Sequence, residues 1–252
     1  WRPETDELSV HKILIRRGAE TIDVLAGGQT FTVIRREPNL ESATLDGVLT
    51  ANLQPEGLRV GDVLQMVTSI SSSDPVLKGH IEQIGAAWNG VPFTRAHFRA
   101  QWPNQLPMVM RQSTALPPLK VVKTGSTSSL EVALENVEPI ISPKYAPARY
   151  GTGRFIELSD YKSWANLGAL MAPLYADAAV VPADGPLRTE LENIKAASID
   201  PMKRAEAALS LVQDRIRYVA LAMGSGGYVP AKADDTWTRR YGDCKAKTPS
   251  PS

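Results

Sequence analysis

The sequence is poor in the residues that build disulfides and metal sites. Its 252 residues include one cysteine and three histidines. A single thiol cannot form an intramolecular disulfide, so the cysteine count does not identify the redox compartment. The histidines His11, His80 and His97 are far apart in the sequence and have no cysteine or paired carboxylates beside them. This spacing is typical of surface or hydrogen-bonded histidines, so we expect neither a metal nor a cofactor.

The sequence also lacks an excess of charge and a long apolar run. Lys and Arg number 28 and Asp and Glu 27, which gives a net charge of +1. This balance does not call for nucleic acid or an anionic membrane as a partner. No apolar run reaches the roughly 18 residues of a membrane-spanning helix. The chain begins at Trp1 rather than at methionine, which indicates that it is processed or cut from a longer polypeptide.

The first 150 residues carry the pattern of antiparallel β-structure. Runs of β-branched and aromatic residues such as Thr30–Arg35 favour strands. Between such runs lie the turn pairs Asp46-Gly47, Asn89-Gly90 and Gly125-Ser126, each of which predicts a hairpin. Turns at this frequency predict an antiparallel, β-sandwich-like domain over residues 1–150.

A segment rich in proline and glycine, residues 139–153, follows this β-rich half. Regular structure is unfavourable there, and we predict a domain boundary that leaves 151–252 as a second, helical domain. A long surface loop within a single domain is the alternative reading.

Beyond the boundary the apolar period becomes helical. Ser159 is predicted to cap a first helix, and Gly185-Pro186 to open a second. Asp200-Pro201 predicts the start of a third helix that reaches about residue 223. Its predicted buried face comprises Ala205, Leu209, Val212, Ile216 and Val219. Strands followed by helices predict an α+β fold rather than alternating α/β.

The single cysteine, Cys244, stands directly behind Gly242-Asp243 and ahead of good helix formers. We therefore predict that it lies at the start of a helix, where unpaired N–H groups and the helix dipole stabilise a thiolate. The carboxylate of Asp243 opposes this effect unless it caps the helix. The alternative is an inert, buried cysteine that acts as a small apolar residue. Basic neighbours that would favour the thiolate are Arg239, Arg240 and Lys245.

Several motifs resemble one family. The stretches "IRY" (216–218), "GGYVP" (226–230) and "RYGDCK" (240–245) occur in that order. They resemble the approach to the nucleophile in bacterial transglutaminase-like proteins, which share a papain-type cysteine core. "LRVGDVLQMVTSI" (58–70) and "LSDYKSW" (158–164) resemble the β-rich N-terminal domain of unknown function that precedes this core.

The resemblance implies a cysteine-dependent amide hydrolase or transglutaminase. Cys244 would attack an amide or ester carbonyl, with a histidine and an aspartate contributed by strands that follow it. Gly242 and Asp243 of the motif would be supporting positions. Trp237 and Tyr241, which are near the thiol in the sequence, would either line the acyl site or donate to an oxyanion, or they pack in the core or a lid. The resemblance also implies a protein or peptide substrate and a periplasmic or secreted location.

The sequence departs from the family pattern after the nucleophile. Ala246 replaces an acidic residue, Pro249 would end the helix, and no histidine follows Cys244. We therefore expect a chain truncated just after the motif, or one that lacks residues between Thr248 and Pro249, and inactive as it stands.

A binding module is the alternative function. In this reading the β-rich half recognises a protein or a glycan and the papain-type segment is not catalytic. Four aromatic residues near the second turn would form either a recognition platform or the core face of a sheet: Trp88, Phe93, Phe98 and Trp102.

Overall fold

A computed structural model of the protein describes residues 1–85, 89–141, 143–145, 147, 153–223 and 227–248. Its contacts divide the chain into two compact units. One unit comprises Trp1–Lys78 together with Met171–Ser252, and the other comprises Gly79–Leu170. Much of the predicted boundary segment lies outside the described residues, and the domains 1–150 and 151–252 stay a prediction.

The strands of the first 160 residues precede the helices in the chain. In order they are β1 (Asp6–Arg17), β2 (Glu20–Asp23), β3 (Thr32–Arg35), β4 (Thr44–Leu45), β5 (Leu49–Asn52), β6 (Val63–Ser72), β7 (Glu82–Gly85), β8 (Phe93–Pro103), β9 (Val109–Gln112), β10 (Val122–Thr124), β11 (Thr127–Val137) and β12 (Ile156–Ser159).

Helices dominate the remainder, with three further two-residue strands between them. In order these elements are α1 (Trp164–Ala178), α2 (Pro186–Ala197), α3 (Pro201–Arg215), β13 (Arg217–Tyr218), β14 (Ala220–Leu221), α4 (Ala233–Arg239), β15 (Tyr241–Gly242) and α5 (Cys244–Lys247). The predicted α+β class is therefore confirmed. None of the helices within the described ranges is long and apolar enough to cross a bilayer.

The unit that contains both chain ends is built on an antiparallel sheet in the order β2-β1-β6. The alternation of β1 buries Ile13 and Ile15 against Val24, and these three form a small core. Two short pairings complete the β-structure of this unit. β3 pairs with β5, and β4 pairs in parallel with β14, which joins the N-terminal and C-terminal parts of the chain.

The other unit packs two antiparallel sheets around one core. Their strand orders are β10-β11-β8 and β7-β12-β9. Trp102, Leu130 and Val132 from the first sheet form a single buried cluster with Ile156 and Leu158 from the second. A core shared by two facing sheets is the packing expected of a sandwich.

Only one of the three predicted hairpins is present. Gly125-Ser126 connects β10 and β11, and Gly125 has the positive φ of +58° that this turn requires. Asp46-Gly47 does not join a hairpin, since β4 and β5 pair with β14 and β3 instead. The prediction at Asn89-Gly90 is also wrong, because β7 pairs with β12 and β8 with β11.

The predicted helix starts are mostly correct. α2 begins at Pro186, and the carboxylate of Asp200 accepts the N–H of Met202 at 2.9 Å at the start of α3. The first cap is Ser163 rather than Ser159, because Ser163 Oγ accepts the N–H of Asn166 whereas Ser159 ends β12.

The third helix differs from its prediction in length and burial. α3 ends at Arg215, because the residues after it form β13 and β14. Ile216 is buried with Leu187 and Trp237, but Ala205 and Leu209 are exposed. The apolar stripe of α3 is therefore covered only at its C-terminal end.

Candidate active site

Cys244 is the first residue of α5 and is exposed to solvent. It directly follows β15 and the capping residue Asp243, so the chain runs from a strand through one residue into a helix. β15 is fixed by parallel pairing with β13, in which Val219 donates its N–H to the carbonyl of Gly242 at 3.1 Å. The exposure of Cys244 contradicts the alternative reading of an inert, buried cysteine.

Asp243 is the N-cap of α5. Its Oδ1 accepts the N–H of Ala246 at 2.8 Å, while Oδ2 is paired with the ammonium group of Lys245. The Asp243 side chain is 8% exposed. The negative charge of Asp243 is therefore engaged by the helix start and by Lys245, so this carboxylate acts as the cap that the sequence predicts as one of two possibilities.

Gly242 permits the close approach of three elements. A Cβ at this position would lie 2.8 Å from Cβ of Ala246 and 3.0 Å from Cγ2 of Thr236. Because no side chain fits at these distances, only glycine at position 242 allows β15, α4 and α5 to pack this closely. This packing fixes the start of α5 against the core.

Trp237 belongs to the core beneath this site. It is 5% exposed and packs with Leu187, Ile216 and Ala233. The guanidinium of Arg240 lies over its ring, 3.7 Å from the centroid. The sequence left open whether Trp237 lines an acyl site or packs, and its described contacts are those of packing.

Tyr241 is half-buried and lies beside the second arginine. The guanidinium of Arg239 is 5.3 Å from the centroid of the Tyr241 ring. Together with the stacked Arg240, it contributes positive charge within five residues of Cys244 in the sequence. Both guanidinium groups lie on aromatic faces, and no carboxylate among the described residues forms an ion pair with either of them.

A small cavity of about 50 Å³ lies behind α5. Two polar groups that line it, Nε1 of Trp237 and Oγ1 of Thr236, are buried without a hydrogen-bond partner among the described residues. The cavity has room for one or two water molecules but not for a peptide side chain of any length.

The last described residues, Lys247 and Thr248, form hydrogen bonds that hold α5 in place. Lys247 Nζ donates to the carbonyl of Ile216 at 2.9 Å, and Thr248 Oγ1 donates to the carbonyl of Cys244 at 2.5 Å. Residues 249–252, and Gly226 of the "GGYVP" motif, lie outside the described residues.

The three histidines have partners other than Cys244. His11 Nε2 lies 2.8 Å from Ser69 Oγ, and His97 Nε2 lies 2.7 Å from Glu131 Oε1. His80 Nδ1 lies 3.1 Å from Oδ2 of Asp160, which is buried. Sequence reasoning missed Asp160, because its partner is eighty residues away and no local motif links them.

No group of three or more potential metal ligands occurs in the described part of the chain. The aromatic set of the β-rich half is also dispersed. Trp102 is buried in the sandwich core and Phe98 packs against that core, whereas Trp88 lies outside the described residues. The positions of Trp102 and Phe98 agree with the core-face reading, whereas Phe93 is exposed.

Comparison with known proteins identifies the family of the β-rich part. A family profile described as a domain of unknown function with a solved structure, DUF3857, matches residues 1–141. The chain is thus an α+β protein with a β-rich N-terminal part and a capped, exposed cysteine near its described end. It belongs to the DUF3857 family.

The fold as a whole is similar to a solved structure. The match is a crystal structure described as a "putative protease" from Parabacteroides distasonis ATCC 8503, with a TM-score of 0.69 and 13% sequence identity. The alignment covers 99% of this chain but only 48% of that chain, so the protein spans about half the length of the structure it matches. No curated protein matches the sequence significantly.

Proposed function

We propose that the chain is the front part of a bacterial transglutaminase-like protein, a cysteine-dependent acyl transferase or peptidase with Cys244 as its nucleophile. One observation carries the proposal: an exposed thiol is the first residue of a helix whose cap, Asp243, already engages its own charge. The similarity of fold to a protein described as a protease supports it further.

The proposed reaction begins with attack of the Cys244 thiolate on an amide or ester carbonyl. A C–S bond forms, the C–N or C–O bond breaks, and the leaving amine or alcohol takes a proton from a general acid. Water would then release the acyl group as an acid, or a second amine would accept it. The fold does not favour one acceptor over the other, so hydrolysis and crosslinking remain two forms of the same proposal.

Four neighbouring residues are proposed to position Cys244 and the start of α5. Asp243 holds the helix start, and Gly242 allows that start to approach α4. Trp237 packs beneath α5, and Tyr241 lies beside the positive charge of Arg239. None of these roles requires contact with the substrate, so their replacement is expected to act through the geometry and stability of α5.

The general base and its orienting carboxylate are proposed to come from another part of a longer protein. His11, His80 and His97 all precede Cys244, and each has its own partner elsewhere. Because the protein spans about half of the structure it matches, a longer form has room for a histidine and an aspartate. We accordingly propose that the 252-residue chain has no turnover by itself.

The natural substrate is proposed to be a protein or peptide in the periplasm or outside the cell. A protein-binding or glycan-binding role for the β-rich half is the alternative. The burial of Trp102 and the packing of Phe98 leave only Phe93 exposed among the three described members of the aromatic set, which weakens that alternative.

The test uses the longest form of the protein that its gene encodes. Hydrolysis of a peptide amide and incorporation of a labelled amine are measured for the wild type and for Cys244→Ala and His97→Ala. The Cys244→Ala variant should lose at least about a thousandfold in either activity, whereas His97→Ala, which alters only an exposed contact with Glu131, should keep it. Equal activity of the wild type and Cys244→Ala would refute the proposal.

A further inference from the structure

A groove of about 660 Å³ lies between α2 and α3, separate from the thiol. Its size is within the roughly 300–1,000 Å³ of small-molecule sites. The apolar lining includes Leu191 and Ile194 from α2 and Leu209 and Val212 from α3. Leu209 is 57% exposed, whereas Leu191, Ile194 and Val212 are half-buried, so the described residues leave this surface partly open. Apolar surface of this extent in a concave site is a feature of ligand binding.

The charged lining of the groove is entirely basic within the described chain. Arg188, Lys195, Arg204 and Lys247 contribute to it, and no aspartate or glutamate does. A nearby carboxylate, that of Glu192, pairs with Arg188 at 3.5 Å and with Lys195 at 3.3 Å. The single negative charge of Glu192 therefore neutralises only part of the two positive charges of Arg188 and Lys195.

The other two cations have no ion-pair partner among the described residues. Arg204 donates to the carbonyls of Ser198 and Lys195, at 2.5 Å and 3.2 Å. Lys247 donates to the carbonyl of Ile216 at 2.9 Å. The described contacts thus use two of the five N–H donors of the guanidinium and one of the three of the ammonium group.

These contacts of Arg204 and Lys247 also have a structural role. The accepting carbonyls are at the C-terminal ends of α2 and α3, where a cation offsets the partial negative charge of the helix dipole, about half an elementary charge. Helix capping explains where Arg204 and Lys247 lie. Capping does not use the remaining N–H donors of Arg204 and Lys247, and the positive charge of these two side chains lies beside the apolar lining of the groove.

We propose that this groove binds an anionic amphiphile, a single apolar chain that ends in a carboxylate. The chain would lie on the aliphatic side chains of α2 and α3, and the carboxylate would accept hydrogen bonds from the basic lining. Charge complementarity selects this ligand over a neutral or cationic amphiphile of the same length. The proposal does not depend on Cys244 being a nucleophile.

Dodecanoate below its micellar concentration is the probe, and isothermal titration with the 252-residue chain is the measurement. We expect saturable binding of one molecule, at least about tenfold tighter than that of 1-dodecanol or dodecyltrimethylammonium. Shortening the probe should weaken binding by up to about fourfold for each methylene that leaves the apolar surface. Equal binding of the three head groups would overturn the proposal.

Matched variants of α3 locate the site. Leu209→Glu adds a negative charge to the groove at an exposed position and should weaken dodecanoate binding by more than tenfold, with Leu209→Gln less affected. Met202→Glu makes the same change on the same helix, at a residue that is 69% exposed and does not line the groove. It should bind dodecanoate like the wild type.

Other outcomes would count against the proposal. Equal loss in Leu209→Glu and Met202→Glu would mean that charge anywhere on α3 matters, not the groove. Absence of binding, with concentration-dependent dimerisation that Leu209→Glu prevents, would show that the groove is covered by a second copy of the chain instead. Circular dichroism of each variant verifies that it is folded.

Discussion

The carboxylate of Asp243 accepts the backbone N–H of Ala246 at 2.8 Å, within the helix that Cys244 begins. This bond satisfies one of the N–H groups that a helix start leaves unpaired. The same carboxylate pairs with Lys245, so two bonds from one side chain define the first turn of α5. The cap therefore determines where the helix begins and hence where the thiol stands.

Removal of this cap should destabilise the protein. Asp243→Ala is expected to lower the free energy of unfolding by about 1 kcal/mol or somewhat more, because it also leaves Lys245 without its partner. Asp243→Asn retains an acceptor for the Ala246 N–H and should cost less. Urea denaturation of the two variants provides the comparison, and equal losses would argue that the cap is not what stabilises α5.

A side chain at position 242 should be poorly tolerated. Gly242→Ala would bring a methyl group within 2.8 Å of Ala246 Cβ, and we expect a loss of about 1–3 kcal/mol. Gly168 in α1 is the matched control, since a Cβ there meets nothing within 4 Å. Gly168→Ala should stabilise by about 0.5–1 kcal/mol, because alanine favours a helix. Thermal unfolding that moved both variants in the same direction would contradict this account.

The ion pair of Arg17 and Asp62 predicts a pH dependence of stability. Arg17 donates to the Asp62 carboxylate at 2.8 Å and 3.0 Å, and this hydrogen bonding lowers the pKa of Asp62 below 3.8. The folded pKa is the lower one, so the stabilisation is present above about pH 4 and is lost as the pH falls through the folded value.

The free energy of unfolding of Asp62→Asn should therefore decrease less than that of the wild type as the pH falls below about 4. Unfolding free energies are measured by urea titration from pH 2 to pH 7 for the wild type, Asp62→Asn and Glu7→Gln. Glu7 is an exposed acidic residue of β1, and its replacement should leave the curve unchanged. If the wild type and Asp62→Asn lost stability in parallel below pH 4, the ion pair would not be the cause.

Strand β6 is expected to promote self-association. It lies at the edge of its sheet within the described residues and has no charged side chain in its ten residues. Met66 on this strand is 65% exposed. Uncharged apolar edges pair readily with other chains, and an edge lysine prevents this pairing.

Met66→Lys should therefore reduce association at high concentration with little change in stability. Sedimentation velocity over a range of protein concentrations provides the measurement. Ile141→Lys, at an exposed apolar residue outside any strand, is the control and should behave like the wild type. A similar effect of both variants would indicate a general effect of charge rather than pairing at β6.

Local signals in the sequence predicted local structure well. The Asp200-Pro201 pair marks the start of α3, and Asp243 with the helix formers that follow Cys244 predicts the start of α5. In both cases the cap and the first turn lie within a few residues, so a short stretch of sequence contains the whole interaction.

Features that depend on distant pairing could not be predicted in this way. Asp46-Gly47 has the composition of a hairpin turn, yet β4 pairs with β14, about 175 residues further along the chain. The end of α3 was also missed, because Arg217 and Tyr218 leave the helix to pair with β15. The apolar periodicity of a short stretch of sequence does not show which distant strand pairs with it. Parallel pairing in particular joins segments that are remote in the sequence.

The reactivity of Cys244 tests the central claim most directly. Iodoacetamide labelling is followed by mass spectrometry between pH 5.5 and pH 8.5, for the folded chain and for the same chain in urea. A thiol activated by the start of α5 should be labelled about tenfold faster in the folded chain than in the unfolded one near pH 6.5. Labelling of the folded chain at the same rate as the unfolded chain, or more slowly, at every pH would contradict a nucleophilic Cys244.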